Sequence, residues 1–497
     1  MDELTKKNFR KFKSIEYFQK SINKYYILPF RFHGIDNKRE VLVNEVGDFL
    51  LVPRGTARRI INREVSESEK LYEDLYSSFF ISDRPIPALI DVLATRYRTK
   101  KSFLDDFTAL HIFVVSLRCN HSCHYCQVSR VSESRKDFDI TVENLEAGIQ
   151  HMFHSPASAI TMEFQGGEPL LAFDKVRYAV ERTVEINKHF NKEITFVLCT
   201  NATMFSVEIL AFCKQHNIII STSLDGPEFL HNANRPKLGT QSYESVIEGI
   251  NKARSALGFD KVSALMTTTS LSLDYPIEII NSYIENGFSS IFLRPISPYG
   301  FALKNTKKNK YETSKFLEFY KTGLNYIIEL NKSGKYFSED YTTIILKKIL
   351  SPFPVGYVDL QSPAGMICNV IVFNYDGYVY ATDESRMLAE NNDFTFRLGH
   401  VSDEYRTLFY GERAKYFSDF WSNESLAGCS DCGFQSYCGA DPVFHYASQG
   451  DFEGNKATSD FCSKNMEIIR YIFELIDRNG NELLPIFNSW INNRPKV

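Results

Sequence analysis

The chain has 497 residues, 43% of them hydrophobic and 14% aromatic, and its 57 basic and 61 acidic residues give a net charge of −4 at pH 7. That length predicts about three domains and that apolar share excludes compositional disorder, while the near-balanced charge excludes a nucleic-acid footprint and no apolar run reaches bilayer length. Ten cysteines are too few for a disulfide scaffold and the N-terminus lacks the apolar core of a secretory signal, so a soluble cytoplasmic protein with neither nucleic-acid nor membrane partners is expected.

Residues 1–100 begin with a basic, aromatic stretch. Two alternating segments follow, Glu40–Asn44 and Asp48–Val52, and the Gly-containing turn between them predicts a hairpin. Helical patterns come next at Arg54–Asn62 and Ser66–Ser77, so this part reads as a small α+β domain. From residue 111 apolar strands alternate with amphipathic helices. The strand candidates are His111–Leu117, Ala159–Phe164, Ile194–Thr200, Ile218–Leu224, Lys261–Thr267 and Ser290–Arg294. Val142, Leu145, Ile149, Met152 and Phe153 share one face of the first intervening helix. Such an alternation predicts right-handed βα units around a parallel sheet, open or curled into a partial barrel. The basic run at 304–310 reads as a solvated turn. Helical patterns fill 312–331 and 339–350, and a cysteine-bearing, Gly- and Pro-punctuated region runs from about 352 to 465 before a terminal helix.

Four polar motifs follow the strands: CNHSCHYC, QGGEP, TNA and LDGP. That rim of a parallel α/β fold is where ligands bind, so one shared site is predicted. Cys119, Cys123 and Cys126 supply three thiolates within eight residues. Soft thiolates suit iron–sulfur clusters, and a cubane held by three cysteines keeps one iron open. Zinc would ordinarily ask for a CxxC pair and a second pair at a distance. Cys429, Cys432, Cys438 and Cys462 form a second set, which either zinc or an iron–sulfur cluster would satisfy. Cys199 and Cys213 read as core residues.

The triplet with Tyr125, the Gln165–Pro169 loop, and Ser223–Pro227 followed by His231 and Arg235 resemble the radical S-adenosylmethionine (SAM) superfamily over residues 111–300. The resemblance implies a partial (β/α)6 barrel with a [4Fe–4S] cluster on Cys119, Cys123 and Cys126. It implies that Gly166, Gly167 and Glu168 hold the methionine end of SAM. It also implies that Ser223 and Asn201 contact the ribose or carboxylate and that Tyr125 lies beside the adenine. For Asn201 and Ser223, plain turn and strand-end hydrogen bonding is the alternative.

The C-terminal cysteines resemble the SPASM domain of peptide maturases, which implies one auxiliary [4Fe–4S] cluster on Cys429, Cys432, Cys438 and Cys462. This sequence departs from the two-cluster pattern. Cys368 matches, but Thr382 and Pro442 stand where cysteines are expected, leaving Cys368 as a candidate buried thiol. Asp383 follows Thr382, and in sulfatase-maturing relatives the equivalent Asp is proposed to take a proton from the substrate radical. Asp383 is therefore a candidate catalytic base, with pairing to Arg386 as the alternative.

Segments 28–32, 42–56, 374–388, 396–401 and 438–446 resemble the radical SAM/SPASM maturase of the His-Xaa-Ser peptide system. This implies a ribosomal precursor peptide as substrate, a second radical SAM maturase as partner, and an electron donor such as flavodoxin or ferredoxin. The domains expected are 1–100 (α+β, a leader-recognition element or a structural cap), 101–300 (radical SAM core), 301–360 (helical bridge) and 361–497 (SPASM-like, with a C-terminal helix). Competing readings are a radical SAM enzyme acting on a small metabolite and a metal-stabilised binding module.

Overall fold

The computed structural model describes residues 25–85, 87–239, 241–300, 302 and 309–494. The N-terminal basic stretch up to residue 24 and residues 304–308 of the basic loop lie outside them. The chain divides into two compact units, one of residues up to Lys100 together with Asp431–Ser436, the other of Lys101–Ser430 and Tyr437–Val497.

In the first unit the hairpin has a third strand. β1 (Phe30–Gly34), β2 (Arg39–Asn44) and β3 (Phe49–Pro53) form an antiparallel sheet with β2 in the middle. Asn44 fixes the turn, its side-chain oxygen accepting from the backbone N–H groups of Val46 and Asp48. Helices α1 (Thr56–Ile61), α2 (Lys70–Ser77) and α3 (Pro87–Lys100) follow. Leu42, Val52, Ile60, Leu75 and Phe80 share one buried core. The Asp48 carboxylate receives both ends of the Arg96 guanidinium at 2.5 Å, tying α3 to the hairpin. Residues Asp431–Ser436 pack on β1, with the His33 ring 4.5 Å from that of Phe434.

The second unit is built on an eight-stranded sheet. Its strands are β4 (Leu110–Ser116), β5 (Ala159–Gly166), β6 (Glu193–Cys199), β7 (Ile219–Ser223), β8 (Val262–Leu265), β9 (Val370–Phe373), β10 (Tyr378–Tyr380) and β11 (Arg397–His400). The order across the sheet is β8-β7-β6-β5-β4-β9-β10-β11, parallel as far as β9 and antiparallel beyond it. Both faces of β4 are buried, as parallel strands covered on two sides require. Phe113 and Val115 enter one core with Ile149, Met152 and Phe164, while Ile112 and Val114 enter another with Val370, Val372 and Tyr380. Each such side chain contributes roughly 1.5–3 kcal/mol by leaving water.

Two features differ from the sequence expectation. The sixth strand shortens to Ser290–Ile291 and pairs with Ser338–Glu339 instead of joining the main sheet. The edge of β4 that the other barrel strands leave open is taken by β9, which comes from the C-terminal region. In that parallel register Val370 stands beside Leu110 and Phe373 beside Phe113. The reason is physical: β4 carries apolar side chains on both faces and cannot stand at an exposed edge.

Candidate functional site

The loop after β4 is closed before any ligand is considered. The N–H of Cys119 donates to the Val131 carbonyl and the N–H of Val131 to the Leu117 carbonyl, so residues 117–131 form a closed ribbon. Arg118, 6% exposed, braces it from below. Its guanidinium pairs with Asp139 at 2.6 and 2.7 Å and also donates to the carbonyls of Leu171 and Glu133. The Ser116 hydroxyl donates to the same Asp139 carboxylate. Sequence reasoning missed Arg118 and Asp139; a charged residue directly before the first cysteine was the available signal.

Cys119, Cys123 and Cys126 are all partly buried on this ribbon. Burial pushes the Cys119 thiol up, and the charges of Glu168, Cys123 and Cys126 push the same way. Burial likewise pushes Cys123 up to about 12, against the opposing pull of Arg235. Cys126 thus raises both Cys119 and Cys123, and a cation beside them would favour the thiolate forms. Among the described residues no set of three His, Cys, Asp or Glu side chains stands at metal-binding distance. The donor set is nevertheless three soft thiols on one short braced loop, which fits an iron–sulfur cluster.

The QGGEP loop presses onto this ribbon. The N–H of Gly167 donates to the Ser116 carbonyl and that of Glu168 to the Arg118 carbonyl. A Cβ on Gly167 would stand 2.3 Å from the Arg118 oxygen, so only glycine permits the approach. Glu168 is fully buried and accepts from the Leu170 N–H, the Thr200 hydroxyl and the Asn201 N–H at 2.6–3.0 Å. Asn201 reaches back, its side-chain amide donating to Asn120 at 2.6 Å. The structure therefore gathers the cysteine loop, Gly166, Gly167, Glu168 and Asn201. Ser223 stands at the end of β7, paired in register with Leu265.

Tyr125 is buried, and its hydroxyl donates to Asp225 of the LDGP motif at 2.7 Å. Arg235 also donates to Asp225, at 3.0 Å, and its guanidinium lies 5.2 Å from the centre of the Tyr125 ring. A second chain of bonds starts at the Asp225 N–H, which donates to His231 Nδ1. His231 Nε2 meets the Ser242 hydroxyl, which meets His121 Nε2 at 2.7 Å. Burial lowers His231 to about 4 and His121 to about 3, so both rings are neutral at pH 7. With Nδ1 of His231 accepting, its Nε2 donates, Ser242 donates onward, and His121 accepts.

The C-terminal set is arranged differently. Cys438 and Cys462 are raised by burial, and the Cys438 charge adds to the shift of Cys462. The Cys462 N–H donates to the Ser459 hydroxyl, which caps the terminal helix. Cys429 belongs to the second unit as well, whereas Cys432 lies in the segment that packs with the first, where its sulfur accepts from the Phe434 N–H. Cys368 is a buried thiol donating to the Ala364 carbonyl at 2.9 Å. Cys213 is buried in the core, and Cys199 faces a cavity with Glu163. Thr382 opens the helix Asp383–Ala389 with a reciprocal capping box to Ser385, and Pro442 takes the first turn of the helix Pro442–Gln449. Asp383 pairs with the fully buried Arg386 at 2.9 Å, as the alternative reading had it, while also lining a cavity.

Two cavities sharing a wall open at the carboxyl ends of the strands. The smaller, about 290 Å³, is lined by Glu163, Gln165, Cys199, Ser221 and Leu265 of four successive strands, and by Asp383. The larger, about 440 Å³, lies beside residues 292–299, and both are bordered by Arg294, Asp359, Glu384 and Asp441. Gly300, next to the lining residue Tyr299, packs on the cysteine loop: its φ is +58°, and a Cβ there would stand 2.2 Å from the Gln127 carbonyl oxygen.

Residues 113–290 match the Radical SAM superfamily. The cysteine-type anaerobic sulfatase-maturating enzyme of Clostridium perfringens (strain 13) is 25% identical over 399 residues, spanning 76% of this chain and 99% of the relative. Native anSMEcpe with bound AdoMet shares the fold with a TM-score of 0.61 at 19% identity, over 75% of this chain and 100% of that one. Streptococcus suis SuiB bound to precursor peptide SuiA gives a TM-score of 0.50 at 14% identity, over 86% and 98%. Residues 113–290 are a radical SAM core, and the chain is a radical SAM enzyme, related to the anaerobic sulfatase maturases, whose superfamily works with a [4Fe–4S] cluster and SAM.

Proposed function

We propose that the chain is a peptide maturase, acting on a ribosomally made precursor that carries His-Xaa-Ser repeats. The observation that carries this reading is the 440 Å³ cavity, wide enough for a peptide side chain, whose lining residue Tyr299 adjoins the Gly300 that packs on the cysteine loop. Relatives that mature sulfatases, and a structural neighbour that binds a precursor peptide, support it.

When bound, the cluster and SAM supply a 5′-deoxyadenosyl radical that takes a hydrogen atom from the substrate. The chain's own part is to hold and orient. Cys119, Cys123 and Cys126 ligate the cluster. Glu168 already accepts three hydrogen bonds, and an ionised carboxylate has about four lone-pair sites, so one remains for the methionine ammonium. Gly166 and Gly167 bring the backbone to the same group, and Asn201 and Ser223 complete the SAM site. Tyr125, held by its bond to Asp225, would lie beside the adenine. Asp383 acts as proton acceptor on the cavity wall, its carboxylate oriented by Arg386. Cys429, Cys432, Cys438 and Cys462 hold one auxiliary [4Fe–4S] cluster. A flavodoxin or ferredoxin supplies electrons, a second radical SAM maturase works on the same peptide, and residues 1–100 recognise its leader.

Co-expression with a neighbouring small reading frame encoding such repeats, followed by mass spectrometry, tests the reading. A mass change that depends on Cys119 is the expected result. An unmodified peptide, with SAM still cleaved to 5′-deoxyadenosine, would move the substrate to another class.

A further inference from the structure

The larger cavity is lined by more acidic than basic side chains. Asp359, Glu384 and Asp441 face two resident cations, Arg294 and Lys464. The Lys464 ammonium is held 5.3 Å from the Tyr341 ring centre and 5.4 Å from that of Phe461. At the rim Asp460 and Lys310 offset each other, and Asp383 is already paired with Arg386. Glu384 forms no salt bridge among the described residues. Burial and its neighbours Asp359, Asp383 and Asp441 push its carboxyl up to about 8, because each disfavours a further negative charge there.

A second observation is independent of that cluster. The Tyr299 side chain is 1% exposed, yet its hydroxyl has no hydrogen-bond partner among the described residues. Tyr299 lines the cavity, and its oxygen feels the charges of Asp441, Glu384 and Asp359. A buried hydroxyl without a partner is costly, by about 1–3 kcal/mol, and a ligand reaching it would remove that cost. The walls add a third feature: Phe292 and Tyr341 stack at 5.6 Å, and Tyr357 meets Phe292 edge-on at 5.7 Å. Aromatic faces beside carboxylates suit a cation, and they offer an anion nothing.

We propose that this cavity seats a basic side chain of the substrate, an imidazolium, ammonium or guanidinium, with its charge against Glu384 and a hydrogen bond to the Tyr299 hydroxyl. The inference rests on the peptide-maturase reading and deepens it by naming the kind of side chain recognised. Arg294 and Lys464 do not oppose it, because Asp359 and Asp441 already balance them.

The test is equilibrium dialysis of carbon-14-labelled N-acetyl-Ala-X-Ala-amide peptides against the reconstituted full chain with SAM, at pH 8, where the Glu384 carboxyl can ionise, with X as Lys, Arg, His, Leu or Glu. At least one basic peptide is expected to bind about tenfold more tightly than the Leu and Glu peptides. Glu384→Gln should reduce that preference to about twofold or less, whereas Glu390→Gln, which does not line the cavity, should keep it. Tyr299→Phe should weaken the basic peptide and leave the Leu peptide unchanged, and it serves as the second variant should Glu384→Gln fail to fold. Equal or tighter binding of the Leu or Glu peptide, no measurable binding of any basic peptide at millimolar concentration, or a preference that survives Glu384→Gln would overturn the proposal. The co-expression experiment separates the two readings. A modified peptide together with no basic preference here removes only this inference, while SAM cleaved with no peptide modified removes the peptide-maturase reading beneath it.

Discussion

The loop of Cys119–Cys126 and the region around Thr382 and Pro442 are held in opposite ways. Around Cys119–Cys126 the backbone is held from several sides: Arg118 pairs with Asp139, Gly167 presses on the Arg118 carbonyl, and Gly300 presses on that of Gln127. In the C-terminal region Thr382 and Pro442, where the resemblance led to an expectation of cysteines, stand at helix starts, Thr382 as a cap and Pro442 in a first turn. The cysteine loop is fixed by contacts from distant segments, whereas these two positions are fixed by hydrogen bonding and backbone geometry within their own helices.

The strongest way to break this comparison is at the triplet. Cys119→Ala or Cys126→Ala should abolish formation of 5′-deoxyadenosine in anaerobically reconstituted protein, because three ligands hold the cluster. Cleavage retained in either variant would end the assignment. Iron analysis is the next test. The wild type should hold about eight irons, and Cys438→Ser about four with SAM cleavage preserved. About four irons and one zinc in the wild type would instead make the C-terminal site structural. Gly167→Ala should then separate rigidity from ligation. All three cysteines remain, but the added methyl must push the Arg118 carbonyl aside, an overpacking cost of about 1–3 kcal/mol, read as a lower Tm and incomplete iron loading.

Smaller effects sharpen the other half of the comparison. Thr382→Ala should cost about 1 kcal/mol as a lost helix cap and leave iron content unchanged. Iron lost in that variant would return position 382 to the ligand shell. A further test is in pH. Glu384 has a folded value raised above its ordinary 4.5 to about 8, so the folded state holds the proton more tightly. That contribution is complete below 4.5 and is lost as pH rises toward 8. Thermal melts from pH 5 to 8.5 should show Tm falling across this window, with a shallower fall in Glu384→Gln. Identical slopes would mean that Glu384 titrates normally.

Local pattern made much of this legible. Alternating apolar strands placed β4 to β8 within a few residues of their observed ends, and the motifs after them meet at one rim. Contacts between distant segments were not legible. Val370–Phe373 is four apolar residues, too short to distinguish a strand from a buried turn, and only the unsatisfied edge of β4 gives it a place. The site shows the same division. The cysteines and QGGEP were visible as residue types at fixed spacing. The brace of Arg118 on Asp139, the bond from Tyr125 to Asp225, and the Ser242 hydroxyl between His121 and His231 depend on the fold bringing segments together.

The pairing of β9 with β4 also bears on how the chain can be made. During synthesis the strands from Leu110 to Leu265 emerge long before Val370. Until then β4 offers an unpaired backbone edge flanked by Ile112 and Val114, a template for another chain's strand. A polypeptide ending at residue 300 keeps every residue of the cluster motif and still exposes that edge permanently, so it should self-associate. The C-terminal region is thus the sheet's own guard against aggregation, whatever metal its cysteines hold.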